Sequence, residues 1–177
     1  MTYRYSLALR VIHWVTVFVV TGQVLLAGLN ALLYEPRPIL AEALVQAHLS
    51  MGFVVFILTC VRLAVRWQSP APPPSTLASL RIGAAIVHSL LYIVLLLMPV
   101  TGYLRLATLG FEIRYFGLFS LPDLTFDPAL ANFAAMAHSA LALGLAGLVV
   151  LHILAALFHR RLDGIGVIPR MAIRLKY

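Results

Sequence analysis

The stretch HSALALGLAGLVVLHILAALFH, residues 138–159, decides how this chain is read. Its polar side chains are Ser139 and three histidines, His138, His152 and His159, in a run otherwise wholly apolar and long enough to cross a bilayer, for which about 20 such residues suffice. His138 and His152 are 14 positions apart, within ~40° of four full helical turns and ~21 Å along the axis. They therefore face the same side of one helix at two depths. Histidine within a bilayer is expensive, so each is a functional candidate by default.

Outward from that run, the sequence divides into four apolar segments bounded by charge, proline or glycine, about 9–33, 40–65, 82–107 and 129–158. Composition agrees: 62% of the 177 residues are hydrophobic, 11% are charged and mean hydropathy is +0.98. A soluble domain is about 45–50% apolar and roughly 25% charged, so a water-soluble globule is excluded. The expected fold is all-α, a single integral-membrane four-helix bundle over residues 1–177. The first run is too long for a signal-peptide core and ends in Tyr34-Glu35-Pro36-Arg37-Pro38, so it is expected to remain as a helix. Residues 68–75, QSPAPPPS, read as an extended proline-rich connector. The segment from Glu112 to Asp127 mixes charges and Pro122 with Phe111, Phe116, Leu118 and Phe119, which suggests an ordered cap at the interface.

The net charge of +7 is scattered between apolar runs and forms no basic face, so nucleic acid is not an expected partner. It reads better as orientation. With both termini and the proline connector on one side, that side holds Arg4, Arg10, Arg62, Arg66, Arg81, Arg160, Arg161, Arg170, Arg174 and Lys176, leaving Arg37, Arg105 and Arg114 opposite. The positive-inside rule then places both termini in the cytoplasm of a multi-pass protein of the bacterial inner (cytoplasmic) membrane.

That topology sorts the other histidines by depth. His48 joins His138 near the outer surface, and His13 joins His152 near the inner one, with His88 and His159 close by. One cysteine, Cys60, excludes an iron–sulfur cluster on this chain alone and a CxxCH haem attachment site. Neutral imidazoles on different helices, with no carboxylate or thiolate beside them, suit the two axial positions of a haem better than a zinc site, whose ligands must converge within a few ångströms. A lone histidine often does no more than bridge two helices; four at two matched depths argue for two stacked sites. Gly22, Gly52, Gly144 and Gly147 fit close helix approach in either case.

Several segments, in order and at these spacings, resemble the bacterial cytochrome b561 family of four-helix dihaem membrane proteins: SLALRVIHW (6–14), QAHLSMG (46–52), VRLAVRW (61–67) before the prolines, MPVTG (98–102), FGL (116–118), and the 14- and 7-residue intervals from His138 to His159. The resemblance covers nearly the whole chain. It implies two non-covalent b haems, the inner on His13 and His152 and the outer on His48 and His138, and electron transfer between a small redox donor and membrane quinone. One branch of the family oxidises superoxide outside and reduces ubiquinone, although the loops here depart from it. His159 and His88 become candidates for a quinone or proton site, and Arg10, Arg62, Arg37, Arg105 and Arg114 for haem-propionate or anion contacts.

Two other functions are compatible with such a bundle. One is a haem b anchor subunit for a dehydrogenase or hydrogenase. The other is a small proton-relaying transporter, which would call for mid-membrane carboxylates that these spans lack.

Overall fold

In the computed structural model the described residues are 4–69, 78–122, 124–162 and 167–173. Helices α1 (Leu7–Leu33), α2 (Pro38–Gln68), α3 (Ala78–Ala107) and α4 (Pro128–Leu162) carry the chain back and forth four times. A two-stranded hairpin, β1 (Arg114–Tyr115) and β2 (Phe119–Ser120), precedes α4, and a short helix α5 (Val167–Met171) follows it. All four long helices are long and apolar enough to cross a membrane, over 7–33, 38–68, 81–107 and 128–158. The four expected spans are these helices, each extended by a few residues. Gln68, expected in the connector, is instead the last residue of α2. Ser69 leaves the helix in an extended conformation (φ −103°, ψ 132°), as a residue before proline does. The prolines at 70, 72, 73 and 74 lie outside the described residues.

Local chemistry sets the helix ends. Ser6 Oγ accepts the Leu9 N–H at 3.4 Å to start α1. Pro38 occupies the first turn of α2, where no N–H is needed. Asp127 Oδ1 accepts the Leu130 N–H at 3.0 Å, while the Asp127 N–H donates to the Thr108 carbonyl at 2.9 Å, tying the start of α4 to the end of α3.

The interior takes small and hydroxyl side chains beside Leu9, Leu49 and Val55, while many large apolar side chains lie outside. Ala41, Ala131, Ala134, Ser50 and Thr59 are buried, whereas Phe18 is 80% exposed and Leu143 78%. Small and hydroxyl side chains let helices approach, and large apolar ones face lipid. Thr16 and Thr59 return their hydroxyl hydrogens to the carbonyls four residues back, so neither leaves an open polar group inside.

How the helices pair decides where a cofactor fits. Helix α1 packs along α2, α2 along α3, and α3 along α4, but α4 makes at most marginal close backbone contact with α1 and α2. A slot therefore runs between α4 and the α1–α2 pair, and the histidines bridge it.

The expected cap is ordered as the β1–β2 hairpin, with Arg114 opposite Ser120 and Tyr115 opposite Phe119. Phe116 and Gly117 make its turn at positive φ (54° and 69°). Gln46 of α2 holds the hairpin by both ends of its amide, donating to the Glu112 carbonyl at 2.7 Å and accepting from the Arg114 N–H at 3.1 Å. Ser50 Oγ accepts the Phe116 N–H at 2.9 Å, and Tyr103 donates to the Pro122 carbonyl at 2.6 Å.

Candidate functional site

Two imidazole pairs bridge the slot. His13 of α1 and His152 of α4 have ring centres 6.3 Å apart; so do His48 of α2 and His138 of α4. An iron–imidazole bond of roughly 2 Å and about 1.1 Å from the bonded nitrogen to the ring centre put two rings on opposite sides of one metal about 6.2 Å apart. Both pairs have that separation. His88 of α3 also approaches His152, at 5.3 Å, which is too close for an iron between them. Among the described residues, no group of three or more His, Cys, Asp or Glu side chains is arranged to hold a bare metal ion.

Toward the cap, His48 and His138 line a cavity of about 230 Å³ with Val20, Phe56, Leu95 and Leu145. His138 Nδ1 lies 3.1 Å from the Met98 carbonyl oxygen and 3.1 Å from Thr101 Oγ1. A carbonyl can only accept, so Nδ1 carries the hydrogen and Nε2 keeps its lone pair for a metal. Pro99 lies inside α3 beside this contact, and having no N–H it cannot serve the Leu95 carbonyl. Gly102 lets the ring approach closely here: a Cβ would sit 3.3 Å from His138 Cε1, so the ring would have to move by a few tenths of an ångström. Across the cavity, the Gln23 amide donates to the backbone carbonyl of His48 at 2.9 Å. Gln23 Oε1 and His48 Nδ1 are both buried without a hydrogen-bond partner among the described residues.

The hairpin roofs this cavity. Tyr115, only 3% exposed, reaches its lining, stacked on Phe119 (5.4 Å, 19°) and against Phe53 (5.1 Å). Burial, helped by Tyr103, raises the Tyr115 phenol above its ordinary value, so the hydroxyl stays neutral.

The opposite end, where the described residues begin and end, is electrostatically different. Arg62 Nη1 is 2.7 Å from His13 Nδ1, and Arg62 Nε donates to the Tyr92 hydroxyl at 3.1 Å. Arg10 donates to the Ala172 carbonyl at 2.8 Å and Trp14 to that of Met171 at 3.0 Å, so α1 straps the C-terminal segment beneath the His13–His152 pair.

The candidate arginines thus separate. Arg62 reaches an imidazole and Arg10 a backbone carbonyl. Arg114 makes a two-pronged bond to Glu112 at 2.8 and 2.9 Å, with both side chains exposed, and Arg37 and Arg105 are exposed near the cap end. The His159 side chain lies outside the described residues, as do those of Arg160 and Arg161. Thr101, Gln23, Tyr92 and Tyr115 were not singled out from sequence. Gln23 and Thr101 had a usable signal there, as polar residues inside apolar spans; Tyr92 and Tyr115 had none.

Comparison with known proteins agrees with this geometry. The family described as prokaryotic cytochrome b561 matches residues 4–172. Cytochrome b561 homolog 2 of Escherichia coli (strain K12) is 30% identical over 179 aligned positions, which cover 95% of this chain and 90% of that protein. On the extent of that match, with four membrane-spanning helices around paired histidines, the chain belongs to the prokaryotic cytochrome b561 family of membrane haem b electron-transfer proteins.

Proposed function

We propose that the protein moves single electrons through the membrane by way of two b haems. His13 and His152 ligate the one near the termini, and His48 and His138 the one near the cap. The observation that carries this reading is the equal 6.3 Å spacing of two imidazole pairs on one face of α4, one pair toward each end of the bundle. Haem b, when bound, supplies one-electron exchange at iron; the protein supplies placement, burial and charge. The lone pair left on His138 Nε2 by the Met98 and Thr101 contacts, the clearance at Gly102 and the slot beside α4 all suit a flat macrocycle.

With the termini cytoplasmic, the cap faces the periplasm and a small redox donor such as superoxide delivers electrons there. Membrane quinone, ubiquinone in this reading, accepts them near the other end. His88, 5.3 Å from His152 and not spaced to share its iron, is in this reading the candidate for serving quinone or its proton. His159, seven residues beyond His152 in the sequence, is the second candidate for that role.

The test is haem content and optical redox spectra of the purified protein. Two b haems per chain, with sharp reduced-minus-oxidised bands, are expected. A colourless protein would remove the reading, and a single haem would remove one of the two sites.

A further inference from the structure

The two imidazole pairs differ in what their second nitrogens meet, and that difference carries a direction. We infer that the His48–His138 site holds its haem at the lower potential and the His13–His152 site at the higher, so that electrons run from the cap end to the terminal end. The inference rests on the dihaem reading above and goes beyond it.

At the cap site the partners of His138 are a carbonyl oxygen and a hydroxyl. Thr101 has a single hydroxyl hydrogen, with the Leu97 and Met98 carbonyls 3.0 and 2.9 Å away to receive it, so toward His138 Nδ1 it offers a lone pair. Donation from Nδ1–H into these oxygens makes the imidazole a stronger electron donor through Nε2. A stronger donor stabilises oxidised iron and lowers the potential. Among the described residues no charged side chain hydrogen-bonds to His48 or His138. Arg105, one turn beyond Thr101, is close enough for its charge to act on His138, but it is exposed, where solvent and headgroups weaken it more than they do the partly buried Arg62.

At the terminal site the neighbour is a guanidinium, which is always charged and can only donate. Arg62 is partly buried, with Nη1 2.7 Å from His13 Nδ1. Tyr92 accepts from its Nε, and the guanidinium carbon lies 5.8 Å from the Tyr92 ring centre. Iron on Nε2 puts the ring hydrogen on Nδ1, facing a second donor. With iron bound the Nη1 contact would have to lengthen, and the Tyr92 hydroxyl and ring are the contacts that would keep the guanidinium near His13. In an apolar interior such a charge is weakly screened. It favours the iron state of lower positive charge, which is the reduced one. Arg66, one turn along α2, adds a second partly buried cation at the same end.

The experiment is an optical redox titration of the purified, haem-loaded protein in lipid nanodiscs, for the parent, Arg62→Gln, Arg62→Lys and Thr101→Val. The parent is expected to titrate in two resolved steps. Arg62→Gln lowers only the upper step, changing its reduction equilibrium about tenfold or more, where tenfold is 59 mV for one electron. Arg62→Lys keeps most of the parent value. Thr101→Val raises only the lower step, and by less. Coincident steps in the parent, a shift of the lower step in Arg62→Gln, or an upward shift of either step in that variant would overturn the inference. The upward shift is the sign expected if Arg62 held His13 as imidazolate. If Arg62→Gln fails to retain haem, Arg62→Lys and Thr101→Val still decide, since Thr101→Val moving the upper step also overturns the ordering. A parent without two haems would instead remove the dihaem reading itself.

Discussion

Thr101 Oγ1 and His138 Nδ1 lie 3.1 Å apart across the interface between α3 and α4, and the Met98 carbonyl oxygen lies 3.1 Å from the same nitrogen. The pair ties the cofactor slot to the α3–α4 contact. One side of the slot is held by close helix packing, while across the other the two ring pairs bridge α4 to α1 and α2. Gly102, one residue further on, leaves the ring just enough room.

Thr101→Val therefore removes one of two acceptors for the His138 ring while keeping the side-chain volume. Loss of such a partner typically weakens metal binding 10–100-fold; with the Met98 carbonyl still in place, about tenfold or less is expected for the cap-side haem. Thr101→Ser, which keeps the hydroxyl, should behave like the parent. Haem titration of the apoprotein, followed at the Soret band, measures both.

His138→Ala and His152→Ala should each remove one haem and spare part of the other. The rings belong to different pairs with ~21 Å of helix axis between them, so neither truncation touches the other pair directly. Haem-to-protein ratios near one support this; a ratio of two in either variant would sink that histidine as a ligand.

The four spans were legible because lipid demands long apolar runs and leaves no other way to satisfy the backbone. The depth-matched histidines were legible because polar residues are rare there. Sequence could not show that α4 stands off from α1 and α2, since that depends on how two helix pairs pack. The hairpin was hidden for a different reason. Strands of two residues carry no periodicity, and the turn places Phe116 at positive φ beside Gly117, a position where phenylalanine gives no turn signal. In the sequence Arg62 was a candidate propionate or anion contact, and only the packing of α1 on α2 brings it onto His13.

The ten-to-three division of basic residues predicts that both termini are cytoplasmic. A fusion after Tyr177 should be active with a cytoplasmic reporter and silent with a periplasmic one. The reverse pattern would exchange the donor and acceptor sides, and the electron flow inferred above would run outward.

Arg105 and Arg114 are both near the cap, but they should not act alike on an anionic donor. The Glu112 carboxylate takes both prongs of Arg114, and that hydrogen bond, then the guanidinium charge itself, lowers the Glu112 pKa below its ordinary 4.5. At neutral pH the pair is locally neutral, so removing both charges together, Arg114→Gln with Glu112→Gln, should leave the haem reduction rate by a superoxide source, and its salt dependence, close to those of the parent. Arg105→Gln should slow reduction at low salt, with the difference fading as ionic strength shortens the screening length to about 8 Å. Glu112→Gln should have the opposite effect, because it frees the Arg114 charge: faster reduction, most visibly at low salt. The same pair gives a pH signature in hydrogen exchange of the hairpin amides. A depressed carboxyl stabilises the folded form above its unfolded value and loses that contribution as pH falls through its folded one. Protection at Arg114 and Tyr115 should therefore hold from neutral pH down to about 4.5 and decline below it, with no such decline in Glu112→Gln. Equal rates and equal salt slopes in the parent, Arg105→Gln and Glu112→Gln would remove anion steering from the cap and leave the histidine pairs untouched.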